Sequence, residues 1–223
     1  MKEYRISPLP LPPPDGAPFD ETFWKAIPAL TLEHFRKEGS GHRPEVRFRL
    51  GWRTGDGMYG RFDVLDRYVR AAAVHFQEMV CRDSCVEFFV EPAGGRGYLN
   101  FEMNCTGVLL CQHVLDPERT PHGLKDARFL TESEVADVRI FHTLAGPVTE
   151  EIAGPVRYSV GFFLPFSLFR EAAGAAFPHA GSVWRANVYK CGDETSHPHW
   201  GSWQPVPELN FHLPSAFGVL RFM

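Results

Sequence analysis

The sequence lacks the features that mark membrane-spanning, disulfide-rich and nucleic-acid-binding proteins. No apolar run approaches the 18 residues of a membrane-spanning helix. Its five cysteines are odd in number and irregularly spaced, which does not predict a disulfide framework. A formal net charge of -4 leaves no basic excess to attract nucleic acid. Neither a membrane nor a nucleic acid is therefore the predicted partner.

The first residues also lack the apolar stretch of a signal peptide. Residues 7–14 read SPLPLPPP, which is typical of an extended proline-rich segment. We therefore expect a cytoplasmic protein if the chain is complete, or a chain whose signal peptide has been removed.

Common catalytic motifs are missing as well. The sequence has no Gly-x-Ser-x-Gly, no phosphate-binding loop and no dinucleotide-binding glycine pattern. Strands do not alternate with helical segments, which disfavours a nucleotide-binding α/β fold. Two carboxylates such as Glu87 and Glu102 could still serve glycoside hydrolysis, so a hydrolytic enzyme stays an alternative.

What is present favours strands and turns. Aromatic residues make up 13% of the chain, and 20 glycines with 19 prolines supply many turn positions. Apolar and polar residues alternate with period 2 in about nine segments, among them residues 46–52, 85–91, 98–104 and 183–190. This pattern predicts an all-β fold, an antiparallel two-sheet β-sandwich of jelly-roll-like form with little helix.

The chain is predicted to form one domain with an N-terminal extension. Residues 1–43 form a proline-rich arm that packs on a sandwich of residues 44–223. A helical turn after Asp20, a plausible N-cap, is expected within residues 20–38, and a short helix near residues 165–173. Residues 114–134 are predicted to be a polar loop.

Several polar residues fall on one face of the predicted strands. Glu87 lies on one strand, Asn104 on the next with Asn100 and Glu102, and Arg185 with Asn187 on a late strand. Carboxylate, amide and guanidinium groups pair well with adjacent sugar hydroxyls. If these strands are neighbours, the shared face is a candidate sugar site; the alternative is a solvated face without a ligand.

Two tryptophans lie in the predicted loop 191–214. Flat aromatic rings stack on the apolar faces of sugars, and an aromatic ring in a polar loop is less easily explained by core packing. Trp200 and Trp203 are therefore candidate platforms, whereas Trp24, Trp52 and Trp184 are predicted to lie in the core.

Metal and partner signals are weak. His197, His199, Cys191 and His212 could ligate zinc, but none has zinc-motif spacing. Oxygens near Asp56 and in residues 132–137 have no calcium-loop spacing. The metal is thus unassigned. A haem- or metal-binding sandwich using Met and His, and a protein-interaction domain using residues 7–14, remain further alternatives.

Two paired segments carry a family resemblance. The first is DSCVEFFVEP at 83–92 followed by YLNFEMN at 98–104. The second is RANVYKCGD at 185–193 followed by HPHW at 197–200, FHLP at 211–214 and FG at 217–218. Together, over residues 44–222, they resemble the family 9-like carbohydrate-binding proteins of bacteria.

The resemblance implies a non-catalytic sandwich that binds oligosaccharide or polysaccharide, such as xylan or glucan, in carbohydrate catabolism. It implies no required cofactor, although family members carry structural calcium and hold a sugar end between two Trp rings. Glu87, and with it Asn187 and Trp200, match the family's binding residues. Residues 76–82, where the first ring is expected, contain no Trp.

Overall fold

The computed structural model describes residues 1–14 and 16–223. Its sixteen strands are β1 Glu3–Pro8, β2 Leu30–Thr31, β3 His34–Phe35, β4 Glu45–Arg53, β5 Gly57–Asp66, β6 Val69–Ala71, β7 Cys85–Glu91, β8 Tyr98–Asn104, β9 Leu109–Thr120, β10 Gly123–Phe129, β11 Arg139–His142, β12 Val148–Ile152, β13 Val156–Pro165, β14 Val183–Cys191, β15 Trp200–Ser202 and β16 Gly218–Phe222. Two short α-helices are α1 Glu21–Lys25 and α2 Phe166–Ala173. Among the described residues, no helix is long and apolar enough to cross a membrane.

The strands form two packed layers. One layer has the order β10-β9-β8-β7-β14-β16, and the other has β4-β5-β13-β11. Strand β1 connects the layers because it pairs with β16 through its first half and with β4 through its last residues. The predicted all-β two-sheet sandwich is confirmed. The two pairings of β1 are parallel, whereas the neighbouring pairs within both layers are antiparallel.

The core lies between the two layers and follows from the period-2 pattern. Val86, Phe88 and Val90 of β7 point into it and are fully buried. The Phe88 ring stacks on Phe162 of the other layer, with ring centroids 5.5 Å apart. Trp24, Trp52 and Trp184 are buried as predicted.

The N-terminal segment contributes strands to both layers. Leu30 of β2 pairs with Phe48 of β4, and β3 pairs with β15. The helical turn predicted near Asp20 is confirmed: the Asp20 carboxylate accepts a hydrogen bond from the Phe23 N–H at 2.7 Å. The helix predicted at residues 165–173 is α2.

The prediction of a polar loop at residues 114–134 is wrong. β9 continues to Thr120 and β10 returns along it, so a long hairpin projects from the first layer. Lys125 pairs with Asp116 and Glu118 across the two strands. Because these cross-strand pairs are charged and solvated, the hairpin has none of the alternation that marks a half-buried strand.

Candidate functional site: a groove on the outer face of the first layer

The outer face of β7, β8 and β9 forms the floor of a groove. Glu87 of β7 lies directly opposite Glu102 of β8, and Phe89 lies opposite Asn100. Opposite residues of an antiparallel pair share one face, so both carboxyl groups point away from the core. The sequence prediction that polar groups of these strands share a face is thus matched by the observed register.

Burial dominates the electrostatics of the floor. Glu87 is only 3% exposed and Glu102 only 6%. Burial raises the pKa of Glu102 to about 7. Burial together with the facing Glu102 carboxyl raises the pKa of Glu87 well above its usual value. At neutral pH the pair therefore holds at least part of one proton, and can both donate and accept hydrogen bonds.

The hydrogen bonds made by the two carboxyls leave capacity for a ligand. The Asn100 side-chain amide donates to Glu102 Oε1 at 2.7 Å. The Cys191 thiol donates to Glu87 Oε1 at 3.0 Å. Neither carboxyl forms an ion pair with a Lys, Arg or His among the described residues. A buried carboxyl without a cationic partner is costly for folding and is a common mark of a binding or active site.

The groove has a volume of about 640 Å³. One wall is the β9–β10 hairpin, which contributes Arg119 and Leu124; the opposite wall comes from the loop that follows β14. The complete lining is Met79, Cys81, Glu87, Phe89, Glu102, Leu110, Gln112, Arg119, His122, Gly123, Leu124, Ala127, Phe129, Cys191, Asp193, Trp200, Leu209, Asn210, Phe211 and His212. This volume lies in the range of small-molecule sites.

Large apolar side chains lie exposed along this groove. Met79 and Phe129 are each 48% exposed and Leu209 is 43% exposed, although all three line the groove. Exposed apolar groups around a polar floor are typical of a site that binds amphipathic ligands.

Trp200 completes the wall on the side of β14. It is partly buried against an apolar cluster that includes Tyr189 and Phe211, and its indole N–H donates to Asp193 Oδ1 at 2.8 Å. That hydrogen bond fixes the ring orientation, because the indole has a single donor. Trp200 and Glu87 are the two predicted site residues that the structure places together in this groove.

Asn104 and Asn187 lie outside the groove lining. Asn104 is fully buried at the end of β8, where its amide donates to Asp83 Oδ2 at 3.0 Å. Asn187 is fully buried and accepts from the Gln204 N–H at 2.9 Å while donating to the Gln204 carbonyl. Both amides bind neighbouring protein groups, so the candidate site does not include them.

Arg185 and Trp203 also lie elsewhere. The Arg185 guanidinium pairs with Glu91 at 3.0 Å and donates to the Pro214 carbonyl at 2.6 Å. Trp203 is 3% exposed and belongs to the main core. Trp203 follows β15 directly, and its ring packs against Gly218 of β16.

Several lining residues were missed at the sequence level. Arg119, His122 and Phe129 come from the hairpin that was predicted to be a loop. Gln112 could have been found, because it lies opposite Asn100 once β8 and β9 are aligned. Asn210 carries no sequence signal, and the sequence indicates His212 only as a candidate zinc ligand and as part of the family resemblance; the folding of the 203–217 segment places both in the lining.

The oxygens proposed for calcium already have other partners. Asp56 binds Arg53 and the Tyr59 hydroxyl, while Glu134 binds Arg128 and the backbone of Thr131. A calcium site needs six to eight oxygens, so these residues do not fit that ion.

A second groove, of about 470 Å³, lies on the outer face of the other layer. Several of its charged groups pair with one another: Arg49 and Arg61 both bind Asp63, and Arg61 also binds Glu21. Its lining has few apolar residues, Val64, Leu65 and the aromatic Tyr158. The first groove is therefore the better candidate.

Comparisons with known proteins identify the family and relatives that share the fold. The model of carbohydrate-binding family 9 matches residues 22–222. A candidate carbohydrate-binding protein from Bacteroides uniformis ATCC 8492 is 30% identical, with a TM-score of 0.85 over 100% of this chain and 99% of that one. No curated protein matches the chain.

Two structures of a family 9 carbohydrate-binding module from Caldicellulosiruptor kristjanssonii share the fold. The glucose complex is 12% identical with a TM-score of 0.66, covering 100% of this chain and 96% of that one. The cellotriose complex is 14% identical with a TM-score of 0.65, covering 99% and 93%.

Proposed function

The chain belongs to carbohydrate-binding family 9, and from that premise we propose that its groove binds a neutral β-linked glucan or xylan chain without cleaving it. The observation that supports this most directly is the pairing of a buried polar floor with exposed apolar walls in one groove. A sugar ring presents the same two surfaces, hydroxyl groups at its edge and C–H groups on its faces.

Each part of the groove then has a role. Trp200 stacks on one face of a sugar ring, while Glu87, Glu102 and Gln112 bind hydroxyl groups from the floor. Arg119 of the hairpin binds hydroxyl groups from the opposite side. The partly protonated carboxyl pair suits hydroxyls, which both donate and accept.

Met79 belongs to the segment in which the family resemblance expects the first Trp. It lies within residues 76–82 and lines the groove with its thioether side chain exposed. A flexible Met can contact a sugar face but offers less flat area than an indole. We therefore expect weaker binding than a two-ring clamp gives, with Kd in the range of about 10 μM to 1 mM.

The acidic floor also restricts the ligand. Glu87, Glu102 and Asp193 face the groove against Arg119 as the one Lys or Arg of its lining. A uronic acid would bring a further negative charge to two buried carboxyls, so acidic glycans should be disfavoured.

A glycan array tests the proposal. We expect signals from neutral β-glucan or xylan oligosaccharides and none from polyuronates. Selective binding of polyuronates, or no binding across the array at millimolar glycan in solution, would contradict it.

Hydrolysis is a second candidate, favoured by the raised pKa of Glu102 beside Glu87. A general acid needs such a pKa. Incubation of the array-positive oligosaccharide with the protein, followed by reducing-end measurement, separates the two functions. Non-catalytic binding predicts no new reducing ends, and Glu102→Gln-sensitive release would establish a hydrolase.

A further inference from the structure

Two thiols and a carboxyl converge beneath the sugar groove. Cys85 of β7 and Cys191 of β14 are directly opposite one another across the strand pair. Glu87 follows Cys85 by two residues and thus shares its face. One donor atom from each of the three side chains lies within 4.8 Å of the other two.

All three side chains are buried. Cys85 is fully buried, Cys191 is 1% exposed and Glu87 3% exposed. Three candidate ligands held on two paired strands are pre-organised, because the sheet fixes their backbones. The Cys191 Sγ and Glu87 Oε1 atoms already lie 3.0 Å apart.

The Glu87 carboxyl is poorly satisfied without a further partner. Its single hydrogen-bond donor among the described residues is the Cys191 thiol, a weak donor. The facing Glu102 carboxyl adds a like charge. A divalent cation at this position would bind the Glu87 carboxyl more strongly than the thiol does, and would offset the like charge of Glu102.

The ligand chemistry selects the cation. Thiolates bind soft or borderline ions such as Zn²⁺ and reject Ca²⁺. Tetrahedral zinc with bonds of about 2.3 Å to sulfur needs sulfur atoms about 3.8 Å apart. The three donor atoms, which all lie within 4.8 Å of one another, are already near that spacing.

The cluster is also reachable. Cys191 and Glu87 line the floor of the groove, so an ion can enter from solvent. The fourth coordination position then faces the groove, where water or a ligand hydroxyl can occupy it.

We propose that Cys85, Cys191 and Glu87 form a zinc site with an open coordination position at the floor of the groove. Binding releases the two thiol protons and any proton on Glu87 to solvent. Glu102 is left facing the groove.

Cobalt(II) titration of the reduced, metal-free protein tests this site without any sugar. We expect a thiolate-to-cobalt charge-transfer band that saturates at one equivalent, is lost on adding Zn²⁺ and is unaffected by Ca²⁺. Cys85→Ser and Cys191→Ser should weaken cobalt binding by at least about 100-fold. Glu87→Gln should weaken it while keeping the thiolate band.

Cys111→Ser is the matched control, since Cys111 is equally buried but lies on β9 and faces the main core. Circular dichroism confirms that each variant is folded. The proposal is overturned if the wild-type protein, with five free thiols by titration, gives no charge-transfer band. It is also overturned if Cys111→Ser removes the band as completely as Cys191→Ser does.

Discussion

Strand β14 separates two buried acidic centres. In one, a carboxylate pairs with a cation; in the other, two carboxyl groups face each other. On its core side, Lys190 is fully buried and its ammonium lies 3.0 Å from Asp66 Oδ2. On its outer side, Cys191 and Tyr189 face Glu87, whose carboxyl has no cationic partner among the described residues. Lys190 and Cys191, adjacent in β14, thus belong to different centres. Lys190 is part of a neutralised ion pair, and Cys191 contacts a carboxyl of the uncompensated pair.

The pKa shifts express this difference. Burial alone would raise the pKa of Asp66, but the Lys190 charge and the His42 hydrogen bond reverse the effect and lower it well below its usual value. Burial raises the pKa of both Glu87 and Glu102, and the facing Glu102 carboxyl raises the pKa of Glu87 further. In the first centre the two charges compensate each other, whereas the second centre costs stability and keeps polar groups available for a ligand.

The largest expected effect on stability follows from breaking the compensated centre, the Lys190–Asp66 pair. Lys190→Met leaves the Asp66 carboxylate buried without its ammonium partner, which should lower the free energy of unfolding by about 3–5 kcal/mol. Urea unfolding followed by circular dichroism measures the loss.

The double variant Lys190→Met with Asp66→Asn sharpens this prediction. It removes both charges, so most of the lost stability should return. If the double variant is as unstable as Lys190→Met, packing around Lys190 rather than the unpaired charge explains the loss.

The next largest expected effect is a loss of stability on acidification, caused by His199. Burial and the nearby Lys190 charge lower the pKa of His199 to about 3. Below its unfolded pKa of about 6.5, the unfolded state binds a proton that the folded state does not, so stability falls as the pH falls. We expect a contribution of about 2 kcal/mol less stability at pH 5 than at pH 7.

His199→Gln provides the control for this pH effect. It should reduce the loss of unfolding free energy between pH 7 and pH 5 by the contribution of His199. His212, whose pKa burial also lowers to about 3, adds a slope of the same sign and remains in that variant. A slope unchanged by His199→Gln would contradict the assignment.

The smallest expected effect is a gain of stability at the uncompensated centre. Glu102→Gln removes the like charge facing Glu87 and keeps an oxygen for the Asn100 amide. We expect the free energy of unfolding to rise by about 1 kcal/mol at pH 8, and glycan affinity to fall. Glu91→Gln, which breaks the partly buried pair with Arg185, is the matched control and should not stabilise the protein.

The sequence predicted the strands of the sandwich because alternation reports directly on a half-buried sheet. It therefore also placed Glu87 and Glu102 on one face. It could not show which part of that face stays open. In the sequence, Asn104, Asn187 and Gln112 are all amide residues on predicted strands. Chain segments distant in sequence bind the amides of Asn104 and Asn187, whereas Gln112 lines the groove.

The walls of the groove were beyond sequence reasoning for a similar reason. The β9–β10 hairpin carries charged residues on both strands and has register shifts around Asp126, so the apolar-polar alternation of a half-buried strand is lost. Trp200 and Trp203 are three residues apart, yet one lines the groove and the other is buried in the core. Only the tertiary path of the chain after β14 distinguishes them.

The most direct test of the account is isothermal titration of an array-positive oligosaccharide into three proteins: wild type, Trp200→Ala and Phe177→Ala. Phe177 is a partly exposed aromatic residue outside the groove lining, and serves as the matched control. We predict that Trp200→Ala loses about 2 kcal/mol of binding free energy, roughly 30-fold in Kd, and that Phe177→Ala binds like the wild type. Unchanged binding by a folded Trp200→Ala variant would contradict the claim that this groove is the carbohydrate site.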